Sequence, residues 1–135
     1  MADGLCAGSG HVVGVVLSNL VGDWRKSLIE EWQQAWNAHD TERVLSFYEE
    51  MIAITSPVLQ EVLGIEGVAC FGKQELKRFC DKVFSAVPKY SIQVMAVTIG
   101  MCSVTVHYVD SSSRLVAETM QFSQGRKIAS SSALC

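Results

Sequence analysis

Hydrophobic positions recur at helical spacing along the first two thirds of the chain. Apolar side chains between positions 24 and 38 fall three and four residues apart, with charged and amide side chains mostly opposite. This is the pattern of an amphipathic helix, and Asp23 directly before it is a good N-cap. We predict a second, shorter helix over 41–49 and a third over 73–87, which Pro88 ends.

The remaining segments alternate between apolar and polar residues, as strands do. The predicted strands cover residues 51–56, 90–99, 102–110, 115–123 and 127–134. The connection 58–72 leaves room for one short strand, over either 60–65 or 68–71. Helices followed by an antiparallel meander predict an α+β protein in which the helices pack on one face of the sheet.

One strand carries a carboxylate among apolar neighbours. Because side chains alternate across a strand, one face is shared by Val116, Glu118, Met120 and Phe122. On the preceding strand, an inward set of Val104, Val106 and Tyr108 would turn His107 outwards. The outer face of the strand over 90–99 is predicted to include Met95, Val97 and Ile99.

The buried position predicted for Glu118 has a chemical consequence. A buried carboxylate is costly unless it is paired, and burial raises its pKa. A glutamate of raised pKa in a pocket is a candidate acid or base. Two alternatives stay open: a hydrogen bond to Trp32 or Tyr48 with no chemistry, or a strand register that turns Glu118 towards solvent.

Composition narrows the class of protein. At 135 residues the chain is long enough for one domain with a real core. Because 49% of the residues are hydrophobic, we expect apolar surface in a pocket or an oligomer interface. The net charge is −3 and no basic run exceeds two residues, so no nucleic-acid partner is expected.

The first 22 residues are predicted to precede the domain, which we place at 23–135. We expect them to form a flexible glycine-rich tail with a short extra element or a lid over a pocket. The apolar run 11–21 is shorter than the roughly 20 residues that cross a bilayer, and no lysine or arginine precedes it. We therefore expect neither a membrane span nor a signal peptide.

The cysteines occur singly along the chain, at positions 6, 70, 80, 102 and 135. No Cys-x-x-Cys motif and no Cys/His or His/carboxylate set has metal-ligand spacing, so no metal site is expected. We expect free thiols, mostly buried, in a reducing cytoplasm.

Six short motifs resemble, in their order and spacing, those of the nuclear transport factor 2-like superfamily, with its SnoaL-like and ketosteroid isomerase-like members. The motifs are WNAHD at 36–40, VLSFY at 44–48, ITSP at 54–57, GKQEL at 72–76 with Phe79, ETMQF at 118–122 and GRKI at 125–128. The resemblance implies a cone in which three N-terminal helices pack on a strongly curved antiparallel sheet around an apolar pocket. It also implies a homodimer formed through the outer sheet face.

The resemblance also places a family active site on this chain. The aspartate base of ketosteroid isomerase falls on Ser56, its oxyanion tyrosine on Trp32 and its protonated aspartate on Glu118. A further supporting tyrosine falls on Tyr48. Serine is not basic at neutral pH, so the sequence argues against steroid isomerisation by that route.

The candidate site combines two catalytic residues, Glu118 and Tyr48, with a substrate-binding wall. The predicted wall residues are Trp32, Trp36, Ser56, Val104, Val106, Tyr108, Met120 and Phe122. No metal and no organic cofactor is implied, and the expected partner is a small apolar molecule.

Three functions follow from the resemblance, because the fold alone does not select one. The first is an acid–base isomerase, cyclase or (de)hydratase acting on an apolar oxygenated substrate. The second is a binder that uses the same pocket without catalysis. The third is a homo-oligomeric assembly or adaptor domain that uses only the sheet face.

Overall fold

The computed structural model describes residues 12–13, 23–64 and 69–135. Four helices and seven strands follow one another in these ranges. In chain order they are β1 (Val12–Val13), α1 (Trp24–Asn37), α2 (Thr41–Leu45), β2 (Tyr48–Thr55), α3 (Pro57–Leu63), β3 (Ala69–Phe71), α4 (Gly72–Ala86), β4 (Ile92–Gly100), β5 (Ser103–Asp110), β6 (Leu115–Phe122) and β7 (Ile128–Leu134).

The strands form one open sheet in the order β1-β4-β5-β6-β7-β2-β3. Neighbouring strands are antiparallel except β2 and β7, which run parallel. The α+β class and the cone fold are confirmed, with a sheet that is mixed rather than wholly antiparallel. The chain leaves β2 through α3, β3 and α4 before the meander, and β7 then returns beside β2.

The helices differ from prediction mainly at α2 and α3. Helix α2 ends at Leu45 rather than at 49, because Tyr48 already enters the sheet as the first residue of β2. The segment 57–63 is helical, so the alternative of a strand over 60–65 is wrong. Pro57 is the first residue of this helix, and the Ser56 hydroxyl before it accepts a hydrogen bond from the Val58 N–H at 3.2 Å. The other alternative, a strand over 68–71, agrees with β3.

Side-chain hydrogen bonds fasten α1 to the edge of β4. The Asn37 amide donates to the Ile92 carbonyl and accepts from the Ile92 N–H, at 3.0 and 2.8 Å. The Gln33 side chain accepts from the Val94 N–H at 2.7 Å. These bonds hold the inner face of α1, with Trp32 and Trp36, at a fixed position over the sheet.

A register shift in β4 shows that the predicted outward direction of two side chains is wrong. Val94 pairs with Tyr108, but Ala96 pairs with His107, so Met95 is the extra residue of a bulge. Met95 is exposed, and the alternation beyond it is reversed. Val97 and Ile99, predicted to face outwards, are therefore buried in the core.

Of the remaining predictions, the structure tests those on part of the N-terminal segment and on the cysteines, and it does not test the homodimer. Val12 and Val13 pair with β4, and the rest of the predicted tail or lid lies outside the described residues. Cys102 is disulfide-bonded, so the prediction of free thiols is wrong for that residue. None of the described helices combines the length and apolar character needed to cross a bilayer. The homodimer and the cytoplasmic location stay predictions.

Candidate functional site

A cavity of about 260 Å³ lies between the helices and the inner face of the sheet. Helix α1 supplies one wall, α3 and α4 supply another, and β2, β5 and β6 line the sheet side. The predicted site residues that line it are Trp32, Trp36, Tyr48, Ser56, Tyr108 and Glu118. The tertiary fold thus brings together six positions that are spread over 87 residues of sequence, from 32 to 118.

Four predicted wall residues lie elsewhere. Val104, Val106 and Met120 have no solvent exposure and belong to the close-packed core. Phe122 packs at the sheet end against Trp24, with ring centroids 5.2 Å apart and planes at 82°. Val104, Val106 and Met120 share the inner face with Glu118, but the cavity opens towards the Tyr108 end of that face.

Glu118 occupies the sheet side of the cavity and is 8% exposed. The Tyr108 hydroxyl donates to its Oε1 at 3.0 Å, and the Ser131 hydroxyl donates to its Oε2 at 2.6 Å. Burial raises the pKa of Glu118, and the two hydrogen bonds oppose that rise without cancelling it. The partners of Glu118 are therefore Tyr108 and Ser131, and not Trp32 or Tyr48 as one alternative supposed.

Tyr48 faces the same space from β2. Its hydroxyl oxygen accepts a hydrogen bond from the Trp32 indole N–H at 3.0 Å. Burial raises the pKa of Tyr48 well above its usual value, and the charge of Glu118 adds to the rise. Tyr48 therefore remains protonated at neutral pH, so its hydroxyl has a hydrogen to donate.

Charged groups stand at one side of the cavity, where β5 turns into β6. Asp110 Oδ1 accepts hydrogen bonds from the backbone N–H groups of Ser112 and Arg114, each at 2.9 Å. The Arg114 guanidinium lies 3.6 Å from Asp110 and 3.6 Å from Glu61 on α3. These contacts join the meander to α3 across the cavity.

Sequence reasoning missed Ser131 and this charged group. Ser131 lies in a run of three serines on β7, where uniformly small polar residues give no alternation by which to assign an inner face. The charged group was not predicted, because Asp110 and Arg114 flank what looks like an ordinary turn and Glu61 lies in the connection 58–72, to which no element was firmly assigned. Only the packing of α3 beside the turn brings them together.

The wall of the cavity is mostly apolar. Aromatic and aliphatic side chains form most of it, while Glu118, the Tyr48 hydroxyl, Ser56 and the charged group of Glu61, Asp110 and Arg114 supply polar points. In the part of the chain that the structure describes, no group of His, Cys, Asp or Glu side chains is arranged to hold a metal ion.

Solved structures with this architecture exist in several bacteria. A SnoaL-like protein of unknown function from Burkholderia thailandensis is 26% identical, with a TM-score of 0.79 over 84% of this chain and 94% of its own. SalBIII is an epoxide hydrolase/cyclase-like enzyme with a role in forming the pyran ring of the polyether salinomycin. It is 15% identical, with a TM-score of 0.65 over 82% of this chain and 89% of its own.

A nuclear transport factor 2-like protein from Anabaena variabilis is 17% identical, with a TM-score of 0.62 over 82% of this chain and 84% of its own. No protein-family model and no curated protein sequence matches the chain. The cone architecture, the order of its elements and these neighbours agree with the motifs of the sequence. The chain is a member of the nuclear transport factor 2-like superfamily.

Proposed function

We propose that the protein binds a small, apolar, oxygen-bearing molecule in the cavity and moves a proton on it through Glu118. The observation that carries the proposal is the buried carboxyl of Glu118, which lines an otherwise largely apolar cavity and has a raised pKa. A carboxyl in such a place is a stronger base when ionised, and a proton donor nearer neutral pH when protonated, than one in water.

The neighbours of Glu118 support a catalytic use of its proton. Tyr108 and Ser131 hold the carboxyl in one orientation, one bond to each oxygen. Tyr48 remains a donor nearby, so a substrate oxygen that gains charge has a hydrogen bond within the same cavity. Isomerisation, cyclisation and (de)hydration all need these two functions, a mobile proton and a stabilised oxygen.

The size of the cavity limits the substrate. A volume of about 260 Å³ lies just under the roughly 300–1,000 Å³ of typical ligand pockets. We therefore propose a compact substrate of one or two rings or a short chain. SalBIII, described as an epoxide hydrolase/cyclase-like enzyme, has the same fold, and this similarity supports hydrolysis and cyclisation as reactions to test.

Turnover of two simple probes tests the proposal. With 3-cyclohexen-1-one, the Glu118 carboxylate takes a proton from the carbon between the carbonyl and the double bond, and the electron pair moves onto the carbonyl oxygen. The proton then returns at the far end of the double bond and gives 2-cyclohexen-1-one, which absorbs in the ultraviolet. With styrene oxide, water adds to the epoxide and gives the diol.

Glu118→Gln keeps the shape of the side chain and can still bond both hydroxyls, but it carries no mobile proton. We expect the faster of the two reactions to slow by about 100-fold or more in this variant, while Asp81→Asn, on the exposed face of α4, retains full activity. Equal rates in the wild type and the Glu118→Gln variant for both probes would contradict catalysis.

A second candidate is a binder with no catalysis. Both oxygens of Glu118 already accept a hydrogen bond, which is also the arrangement of a carboxyl that only anchors a polar group. Saturable binding of the probes by both proteins without turnover would select this function.

A further inference from the structure

Glu118 is held by two hydroxyl groups that reach it from opposite directions along the sheet. Directly across from it stand Val106 on β5 and Ala133 on β7, whose side chains cannot form a hydrogen bond. Its partners are the diagonal neighbours instead. Tyr108 is two residues beyond Val106, on one side of Glu118, and Ser131 is two residues before Ala133, on the other side.

The two partners belong to different ends of the inner face. Tyr108 pairs with Val116, and both line the cavity. Ser131 pairs with Met120, which has no solvent exposure. Ser131 is itself 4% exposed, and the described residues that line the cavity do not include it. Oε2 of Glu118 is therefore bonded from the side of the close-packed core, and Oε1 from the side of the cavity.

The hydroxyl of Ser131 is a permanent partner of the carboxyl. It donates to Oε2 at 2.6 Å, a length that is typical of a hydroxyl bonded to an ionised carboxylate. Because Ser131 lies behind the carboxyl and outside the cavity wall, a molecule in the cavity does not compete for this bond. Tyr108, by contrast, is part of the wall against which such a molecule packs.

The titratable groups that face Glu118 from neighbouring elements are tyrosines. Burial raises the pKa of Tyr108 on β5, of Tyr48 on β2 and of Tyr90 before β4, and the charge of Glu118 adds to each rise. All three therefore stay neutral near pH 7. The charged side chains of the β5–β6 turn lie beyond Tyr108 and pair with one another. Burial thus raises the pKa of Glu118, and the hydrogen bonds of Ser131 and Tyr108 oppose that rise.

We propose that Ser131 is the positioning residue of this site. It fixes Oε2 of Glu118 from behind, and so makes Oε1 the oxygen that exchanges a proton with the substrate. The inference rests on the proposed function, in which Glu118 takes a proton from one carbon and returns it to another. A carboxyl that is fixed through one oxygen presents the other at a constant angle, and such orientation lowers the barrier of the reaction.

Three variants in one run of serines test the inference. Ser131→Ala removes the hydroxyl that bonds Glu118 and changes little else, while Ser131→Thr keeps a hydroxyl at the same position. Ser132→Ala is the matched control, because Ser132 is the next residue of β7 and is exposed on the opposite face of the strand.

Titration of Glu118 is the first measurement. The ¹³C signal of its carboxyl carbon, assigned by its absence from Glu118→Gln, reports the midpoint. We expect this midpoint at a higher pH in Ser131→Ala than in the wild type, because the lost bond favours the ionised carboxyl. Ser131→Thr should restore most of the difference, and Ser132→Ala should titrate as the wild type does. A serine with a purely structural role would change stability without moving this midpoint.

Turnover of the faster of the two probes is the second measurement. We expect Ser131→Ala to lower kcat by about tenfold, as the loss of one charge-assisted hydrogen bond from the reacting carboxyl predicts. KM should stay nearly unchanged, since Ser131 does not line the cavity in which the probe binds. Ser131→Thr should recover most of the lost kcat, and Ser132→Ala should retain the wild-type value.

The outcomes separate the inference from the proposed function. An unmoved midpoint or an unchanged kcat in Ser131→Ala overturns the inference, and so does an equal change in Ser132→Ala. If the wild type turns over neither probe, the proposed function fails and the role of Oε1 fails with it, whatever the midpoint does. If Ser131→Ala does not fold, Ser131→Cys replaces it, because a thiol fills a similar space and is only a weak donor.

Discussion

The inner face of the β5–β6 pair has two ends that differ in what fills the space above them. At one end Val104 and Met120, which pair with each other, are completely buried in close-packed core. Towards the other end Glu118 and Tyr108 line the cavity, although Val106, directly opposite Glu118, is also completely buried. The same strand alternation places both sets on one face, so alternation identifies the face but not the part of it that stays open.

The difference between the ends also explains the position of the carboxylate. Glu118 is tolerated because two hydroxyl groups bond its oxygens at the open end. Met120, two residues along the same strand, is fully buried, and its cross-strand neighbour on β7 is Ser131, whose hydroxyl already bonds Glu118. A buried carboxyl is therefore possible at one end of the face and costly at the other.

Moving a carboxyl to the packed end gives the largest expected effect. We expect Met120→Glu to lower the free energy of unfolding by about 4 kcal/mol or more, because the hydroxyl directly across on β7, that of Ser131, is already bonded to Glu118. Met120→Leu, which keeps the volume, should cost less than about 1.5 kcal/mol. Urea unfolding of both variants measures this, and a mild effect of Met120→Glu would show that the packed end is also open.

A matched pair of valines compares the packing at the two ends directly. Val104→Ala opens a void in the core and should cost about 2 kcal/mol. Val116→Ala removes the same atoms from the cavity wall, where part of the contact is already missing, and should cost about 1 kcal/mol less. Equal losses on unfolding would mean that the cavity end is packed as tightly as the core.

The pH dependence of stability reports on Glu118 itself. Its pKa in the folded protein is raised above the ordinary 4.5, so the folded state binds this proton more tightly than the unfolded state does. As the pH rises from 4.5 through the raised pKa, the wild type should lose stability relative to Glu118→Gln, and below 4.5 the difference should be constant. Urea unfolding at several pH values measures it, and a difference that stays flat or grows the other way contradicts a buried, desolvated carboxyl.

The smallest effect is expected at the exposed rim. The Glu61 side chain is 71% exposed and its contact with Arg114 is 3.6 Å long. Glu61→Gln should change the unfolding free energy by less than about 0.5 kcal/mol and leave probe binding unchanged. A loss of probe binding would instead make this ion pair part of the binding site.

The sequence predicts the fold better than the site. Helical spacing gives α1 and α4 to within about two residues, and alternation gives all four meander strands, since both patterns are local. The bulge at Met95 could not be predicted, because one extra residue does not alter the pattern of an apolar strand in a recognisable way. The bulge turns the side chains of Val97 and Ile99 towards the core.

The site residues also differ in whether a local pattern in the sequence reveals them. Glu118, Tyr48 and Trp32 stand out because a polar or aromatic group interrupts a local pattern or resembles a family motif. Ser131 does not, since its role depends on which strand lies next to β6. The opening of the cavity at the Tyr108 end depends on where α1, α3 and α4 pack, which no local pattern encodes.

A crystal structure of the protein soaked with 3-cyclohexen-1-one tests the central claim most directly. We expect the ring of the probe inside the cavity, beside a Glu118 carboxyl that is still bonded by Tyr108 and Ser131. A cavity filled by side chains, or a Glu118 carboxyl turned into bulk solvent, would contradict it.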